Sequence, residues 1–218
     1  MTARTKPGPP LRSAELSRVA LTANLTALRA KHGEDAAVDL RANALGLGSA
    51  EVAKLAHDVG FRHCVVDPWD TLPPGLESIA AGVPAISGWW DGQGGPVVSF
   101  GATVISVKAV PSGTAVSYGY EYTTTTDTTL ALVSAGFADG VPRVTGGKIA
   151  LGGVTFPIAG RIAMDQCVVD IGNASVEVGQ RAVIWGSSPS LAQWSLWSHR
   201  PESALLAHLG SRVVKTWH

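Results

Sequence analysis

The sequence predicts a two-part fold: a parallel α/β segment, then an all-β domain that closes on itself as a barrel or tight sandwich. Up to Trp90, helix-spaced and strand-like apolar runs alternate, the mark of helices packed on a parallel sheet. After Trp89-Trp90-Asp91-Gly92-Gln93-Gly94-Gly95-Pro96 the texture changes to short β-branched strands separated by glycine-rich turns, and this glycine cluster is the domain boundary. The 218 residues suffice for one large domain or two modest ones with a real core.

Residues 1–12, rich in proline and without an apolar h-region, read as a flexible lead. In the α/β segment, 13–95, an amphipathic helix is predicted from Ser13, with Leu21, Leu25 and Leu28 on one face and a stop at Lys31-His32-Gly33. Ala36 to Leu40 is a short strand. Ser49 then caps a second helix, Val52, Leu55, Ala56 and Val59 mark its apolar face, and Gly60 ends it. Phe61 to Val66 reads as a buried strand and Glu77 to Ala81 as a short helix. In the β-domain, 96–218, strands are predicted at Thr103 to Val110, Thr129 to Val133, Val168 to Ile171 and Ala182 to Trp185. Gly152-Gly153 supplies the positive φ angles of a two-residue hairpin between Ile149-Ala150-Leu151 and Val154-Thr155-Phe156. A last helix begins at Pro201-Glu202 and stops at Gly210.

Seventeen basic residues balance seventeen acidic ones, so no broad field favours nucleic acid or an anionic membrane, and neither is expected as a partner. Cys64 and Cys167 lack metal-ligand spacing and read as small buried hydrophobes, which suits a reducing, cytoplasmic setting. No stretch is long and apolar enough to predict a membrane span. His199 and His208 have no carboxylate or cysteine at ligand spacing, so a metal is not expected. Trp89, Trp90, Trp194, Trp197 and Trp217 are amphipathic rings that suit a core or an interface.

Three blocks stand in order: Val116-Ser117-Tyr118-Gly119, Gly136-Phe137-Ala138-Asp139-Gly140, and Gly160-Arg161-Ile162-Ala163-Met164-Asp165-Gln166. With the flanking Val97-Val98-Ser99, Val178-Gly179 and Gly210-Ser211-Arg212-Val213-Val214, they resemble the C-terminal domain of alanine racemases. The segment Arg41-Ala42-Asn43-Ala44-Leu45-Gly46-Leu47-Gly48 is similar to that family's first barrel strand, where a lysine opens a Lys-Ala-Asn-Ala-Tyr-Gly-His-Gly motif. Val83-Pro84-Ala85-Ile86 resembles the final barrel strand. The resemblance implies an α/β remnant of a (β/α)8 barrel followed by an all-β, alanine racemase C-terminal-like domain, because a full barrel takes roughly 250 residues.

The resemblance also implies pyridoxal phosphate (PLP) chemistry, with a lysine holding the cofactor and an aromatic hydroxyl on the opposite face. Here Arg41 stands in the lysine position and Phe137 in the hydroxyl position. A guanidinium offers no nitrogen lone pair for a Schiff base, and a phenyl ring exchanges no proton. No catalytic residue and no cofactor are therefore expected. Arg41 is read as a salt-bridging residue at a strand end or an anion ligand, and Asp139-Gly140 as a turn that sets backbone geometry. Arg161, Met164 and Asp165 are either an anion or substrate-carboxylate pocket or a tight bend. Ser211, near where some members place a phosphate-binding tyrosine, adds no cofactor contact. The resemblance leads to a degenerate racemase-like protein acting as a homodimer or paired with a full-length racemase. Two alternatives stand beside it: a PLP-dependent racemase or related isomerase using Lys54 or Lys108, and a binder of a small amino acid or anion.

Overall fold

The computed structural model describes residues 10–33, 35–79 and 85–218. Its first element is a strand. β1 (Arg12–Leu16) pairs antiparallel with β6 (Val98–Val110) and parallel with β14 (Val214–Trp217). The helix predicted from Ser13 therefore begins only at Arg18. Ala14 and Leu16 are fully buried while Glu15 is exposed, a period of two that a helical reading of this stretch overlooks. Residues 1–9 of the predicted lead lie outside the described residues.

α1 (Arg18–His32) is capped by Ser17, whose hydroxyl accepts from the Ala20 amide, and it ends at Gly33 in a positive-φ conformation. β2 (Ala37–Asp39) leads into α2 (Arg41–Gly46), which is not an ordinary helix: Ala42, Asn43, Ala44 and Leu45 all hold φ near +50°. A left-handed run of L-residues costs roughly 1–2 kcal/mol per residue, so it needs fixing from outside. Asp67 accepts from the Ala42 amide at 2.7 Å and the Asn43 side chain accepts from the Ser49 amide at 2.8 Å. From β14, Lys215 donates to the Gly46 carbonyl and Trp217 to that of Leu47.

α3 (Ser49–Asp58) follows with Val52, Ala53 and Ala56 buried; its flanking residue on the N-terminal side is Gly48, and Ser49 is the first helical residue rather than the cap. β3 (His63–Val65) falls inside the predicted Phe61 to Val66 strand. The predicted helix from Glu77 is instead β4 (Glu77–Ser78), paired parallel with β3, its two-residue span too short and too exposed to form a packed helical face. Residues 80 and 81 of that stretch, and Val83 and Pro84, lie outside the described residues. β5 (Ala85–Ile86) pairs parallel with β2. The order β4-β3-β2-β5 is an open, all-parallel sheet whose Val38, Cys64 and Ile86 join the same core as α1 and α3.

The β-domain is organised by β6, a long strand whose first half meets β1 and β13 (Arg181–Trp185) and whose second half meets β9 (Thr128–Val133). β10 (Lys148–Leu151) and β11 (Val154–Pro157) form the predicted hairpin across Gly152 and Gly153, both at positive φ. β10 pairs with β13, and β9 with β12 (Cys167–Gly172). The Ile158–Val169 bridge joins the end of β11 to β12, closing the circuit β6-β13-β10-β11-β12-β9 and leaving no edge within it. β7 (Ala115–Val116) and β8 (Tyr122–Thr123) form a small pair over a turn at Tyr118–Tyr120.

Two helices follow, α4 (Leu191–Ser198) and α5 (Glu202–Ala207), and β14 then returns the chain to β1. α4 carries a capping box from Ser190 and Gln193 that sequence reading overlooked, and α5 ends before the predicted Gly210. One hydrophobic core runs through both parts, from Leu21 and Val38 to Phe100, Trp185 and Trp194. Trp89 is buried in it, donating to the Asp39 carbonyl.

Candidate functional site

The three motif blocks converge on one face of the β-domain. The Phe137 and Ala138 amides donate to the carbonyls of Ala163 and Met164, each at 3.0 Å. Gly136 permits this approach, since a Cβ there would lie 2.2 Å from the Ala163 oxygen. At Gly160, φ +77°, a Cβ would lie 2.8 Å from the Val116 carbonyl oxygen, and the Ser117 hydroxyl donates to the Arg161 carbonyl at 2.6 Å. These contacts enclose a cavity of about 870 Å³ lined by Tyr118, Phe137, Arg143, Arg161 and Met164, among others.

Within the cavity, the Arg143 guanidinium lies over the Phe137 ring, 4.0 Å from its centroid. Arg161 forms an ion pair with Glu121, which raises the arginine pKa and lowers that of the carboxyl, chiefly through the hydrogen bond between them. Tyr122 is committed elsewhere: its hydroxyl donates to Asp170 at 2.5 Å, and burial together with that bond pushes its pKa up to about 12. On the cavity lining Tyr118 and Met164 stand 72% and 56% exposed, and Tyr120, outside the lining, is 72% exposed.

Beneath the cavity lies Asp139, fully buried. One oxygen accepts from the Gly136 amide, and the other lies 2.9 Å from Arg12 Nε and 3.0 Å from Arg212 Nη2. The arginine contacts are close ion pairs rather than well-aligned hydrogen bonds, since Oδ1 and Arg12 Nε lack an aligned partner. Arg212 also donates to Asp165 at 2.5 Å, and Arg12 to the Asp165 carbonyl. Asp139 thus ties β1 and the approach to β14 to the motif face.

Of the predicted site residues, Phe137, Arg161 and Met164 come together on the cavity. Asp165 is held in the arginine cluster outside its lining, and Arg41 lies on the α/β part. Arg41 makes a bidentate pair with Asp39, Nη2 to Oδ2 at 2.6 Å and Nε to Oδ1 at 2.9 Å. Burial alone would raise the Asp39 pKa, but the hydrogen bonds and charge of Arg41 hold it below its usual value. Sequence reading overlooked Arg143. Its signal was position, six residues after Phe137 and three beyond the end of that block, but nothing in the sequence says which arginine lacks a carboxylate among the described residues. It also overlooked Lys215, whose pKa burial lowers and whose ammonium donates to Gly46 at 2.7 Å.

The family model described as alanine racemase, C-terminal domain, matches residues 97–217. The alanine racemase of Beutenbergia cavernae is 34% identical over 220 residues, covering 94% of this chain and 54% of that protein. That of Streptomyces coelicolor is 40% identical over 128 residues, covering 56% of this chain and 33% of that protein. The chain thus spans from about a third to half the length of these relatives. Among solved structures, the alanine racemase of D-cycloserine-producing Streptomyces lavendulae superposes with a TM-score of 0.83 at 20% identity, covering 97% of this chain and 98% of that one. The Bartonella henselae enzyme with covalently bound pyridoxal phosphate superposes at 0.84 and 16%, covering 96% and 100%. At these identities the superpositions speak to the fold.

Proposed function

Because this chain belongs to the alanine racemase family through its C-terminal domain, we propose that it is a shortened, catalytically degenerate relative that acts by association, pairing with itself or with a full-length racemase. In this reading the open sheet β4-β3-β2-β5 is a remnant of a (β/α)8 barrel. β5 lies beside β2 as the last and first strands of a closed barrel lie side by side. The observation that carries the proposal is the exposure of Tyr118 and Met164 on the cavity lining, with exposed Tyr120 two residues on, apolar surface of the kind that a partner covers.

The residues at the family's lysine and hydroxyl positions do not fit a covalently held PLP, and the half-buried Lys215 has its ammonium engaged by the Gly46 carbonyl. At the lysine position stands Arg41, its guanidinium occupied by Asp39. Lys54 is largely exposed beside Asp58, and Lys108 is exposed on β6, so neither amine is desolvated for imine chemistry. Phe137 supplies no hydroxyl, burial pushes the Tyr122 pKa up to about 12, and the phenol left exposed on the cavity lining is that of Tyr118.

Size-exclusion chromatography with light scattering tests the proposal, with the chain alone and mixed with a full-length alanine racemase. A dimer, or co-elution with the racemase, is expected. A monomer that ignores the racemase overturns it. Incubation with PLP followed by borohydride is expected to leave the protein colourless and unlabelled, and a trapped lysine would restore the racemase alternative.

A further inference from the structure

We infer that a second cavity, between α3 and the loop joining β3 to β4, binds a neutral polyhydroxylated molecule of the size of one sugar ring. This does not rest on the association reading: the cavity lies on the α/β part and shares no lining residue with the motif face. Parallel strands are usually joined by a helical crossover, but residues 66–76 contain no helix, and this loop, with Pro68, Pro73 and Pro74, leaves a space of about 570 Å³ against α3. The loop is fixed at both ends. Asp67 accepts from the Ala42 amide at 2.7 Å, while Leu76 is buried in the core. Gly75, at φ +82°, lets the His57 ring of α3 close against the loop, since a Cβ there would lie 2.7 Å from it. A cavity held in this way needs little ordering before it binds.

Asp70 sets the class of ligand. It is half-buried on the lining, yet among the described residues its carboxylate meets no cation and accepts no hydrogen bond. The hydroxyls of Ser49 and Thr71 are likewise unengaged, as is the Asn43 side-chain amino group, whose carbonyl partner accepts from the Ser49 amide at 2.8 Å. Donors and acceptors thus stand mixed around one space, a match for hydroxyl groups, each of which donates and accepts, and two neighbouring hydroxyls can donate to one carboxylate. Leu72, Pro73 and Pro74 supply an apolar wall for the C–H face of a ring. Ions fit less well. With His57 neutral, the charges of Lys54 and Asp70 cancel. Lys54 and His57 already face Asp58, at 4.0 and 3.9 Å, and both are largely in solvent, so an anion gains little there over water. A zwitterion would spend itself on solvated charges and leave the three neutral groups unused.

The test is titration of the purified chain, by calorimetry and by NMR, with glucose, galactose and mannose, and with cyclohexanol, serine and inorganic phosphate as controls. Saturable binding of at least one hexose is expected, about tenfold or more tighter than that of cyclohexanol, which keeps the ring and loses the neighbouring hydroxyls. The shifted NMR signals should fall on residues 69–75 and α3, with the indole of Trp69, 82% exposed and next to Asp70, as a reporter. Asp70→Ala should weaken binding about tenfold and Thr71→Val by less, while Asp70→Asn, which keeps an acceptor, should retain part of the affinity. Unchanged thermal melts of Asp70→Asn and Thr71→Val show that the losses are local. Lys54→Met should change the affinity by about twofold or less, and the affinity should hold up to about 0.5 M salt, as an ionic ligand's would not. No hexose binding, equal affinity for cyclohexanol, tighter binding of serine or phosphate, shifts confined to the motif face, or indifference to the Asp70 and Thr71 variants would each overturn the inference.

Discussion

Two regions of this molecule resemble catalytic blocks, and they have kept different things. The turn at Arg41–Gly46 keeps an uncommon backbone, four successive left-handed residues, while its leading side chain is engaged by a neighbour on the same strand end. The motif face of the β-domain keeps a cavity, a buried acidic anchor and an exposed apolar rim. Both centre on an aspartate held by arginine. Asp39 and Arg41 sit near solvent, two residues apart, whereas Asp139 is fully buried and draws Arg12 and Arg212 from opposite ends of the chain. Burial and sequence separation, rather than the type of pair, decide which one organises the fold.

The sharpest way to break this comparison is to remove each carboxylate in turn. Asp139→Ala leaves the Arg12 and Arg212 guanidiniums around a buried position without their shared carboxylate and should destabilise the chain by roughly 3 kcal/mol in urea unfolding. Asp39→Ala should cost about 1 kcal/mol or less, since its pair is largely solvated. Equal effects would show that the turn is as structural as the motif face. Next in size, Gly136→Ala forces a methyl into the Ala163 carbonyl, and should both destabilise the chain and perturb NMR signals of the whole cavity wall.

A smaller effect concerns the turn backbone. Ala42 is exposed at φ 54°, so Ala42→Gly should raise stability by about 0.5–1 kcal/mol if relief of left-handed strain outweighs the added chain entropy. The smallest is a pH dependence. The folded-state pKa of Asp39 lies below its ordinary value, so the pair's contribution is complete above that value and is lost as pH falls through the depressed folded pKa. Comparison of acid unfolding between wild type and Arg41→Gln should show a slightly shallower decline below about pH 4 in the variant.

The parts of the fold legible in the sequence are those fixed by local pattern. The hairpin at Gly152-Gly153 follows from turn chemistry, and α1 and α3 from apolar spacing with glycine stops. β1 and β14 were missed for a common reason. Each is short, and each becomes a strand by pairing with a segment at the far end of the chain, information that no local window holds. The Glu77 stretch failed similarly, since two exposed residues become β4 only because β3 lies beside them. For the site, the sequence placed Phe137, Arg161 and Met164 in recognisable blocks but gave equal weight to Arg41 and Asp165. Only packing separates the residues that line the cavity from those outside it.

The sequence by itself determined the family, through three ordered motif blocks, and that Arg41 carries no amine and Phe137 no hydroxyl, because side-chain chemistry belongs to residue type. It also determined the glycines that let backbone meet backbone at Gly136 and Gly160. The tertiary structure alone decided that the first and last described strands share one sheet, that Asp139 draws in Arg12 and Arg212, and that Arg143 has no carboxylate partner among the described residues. The physical reason is that pairing and burial depend on distances between residues remote in sequence, and a free charge is defined by what does not reach it.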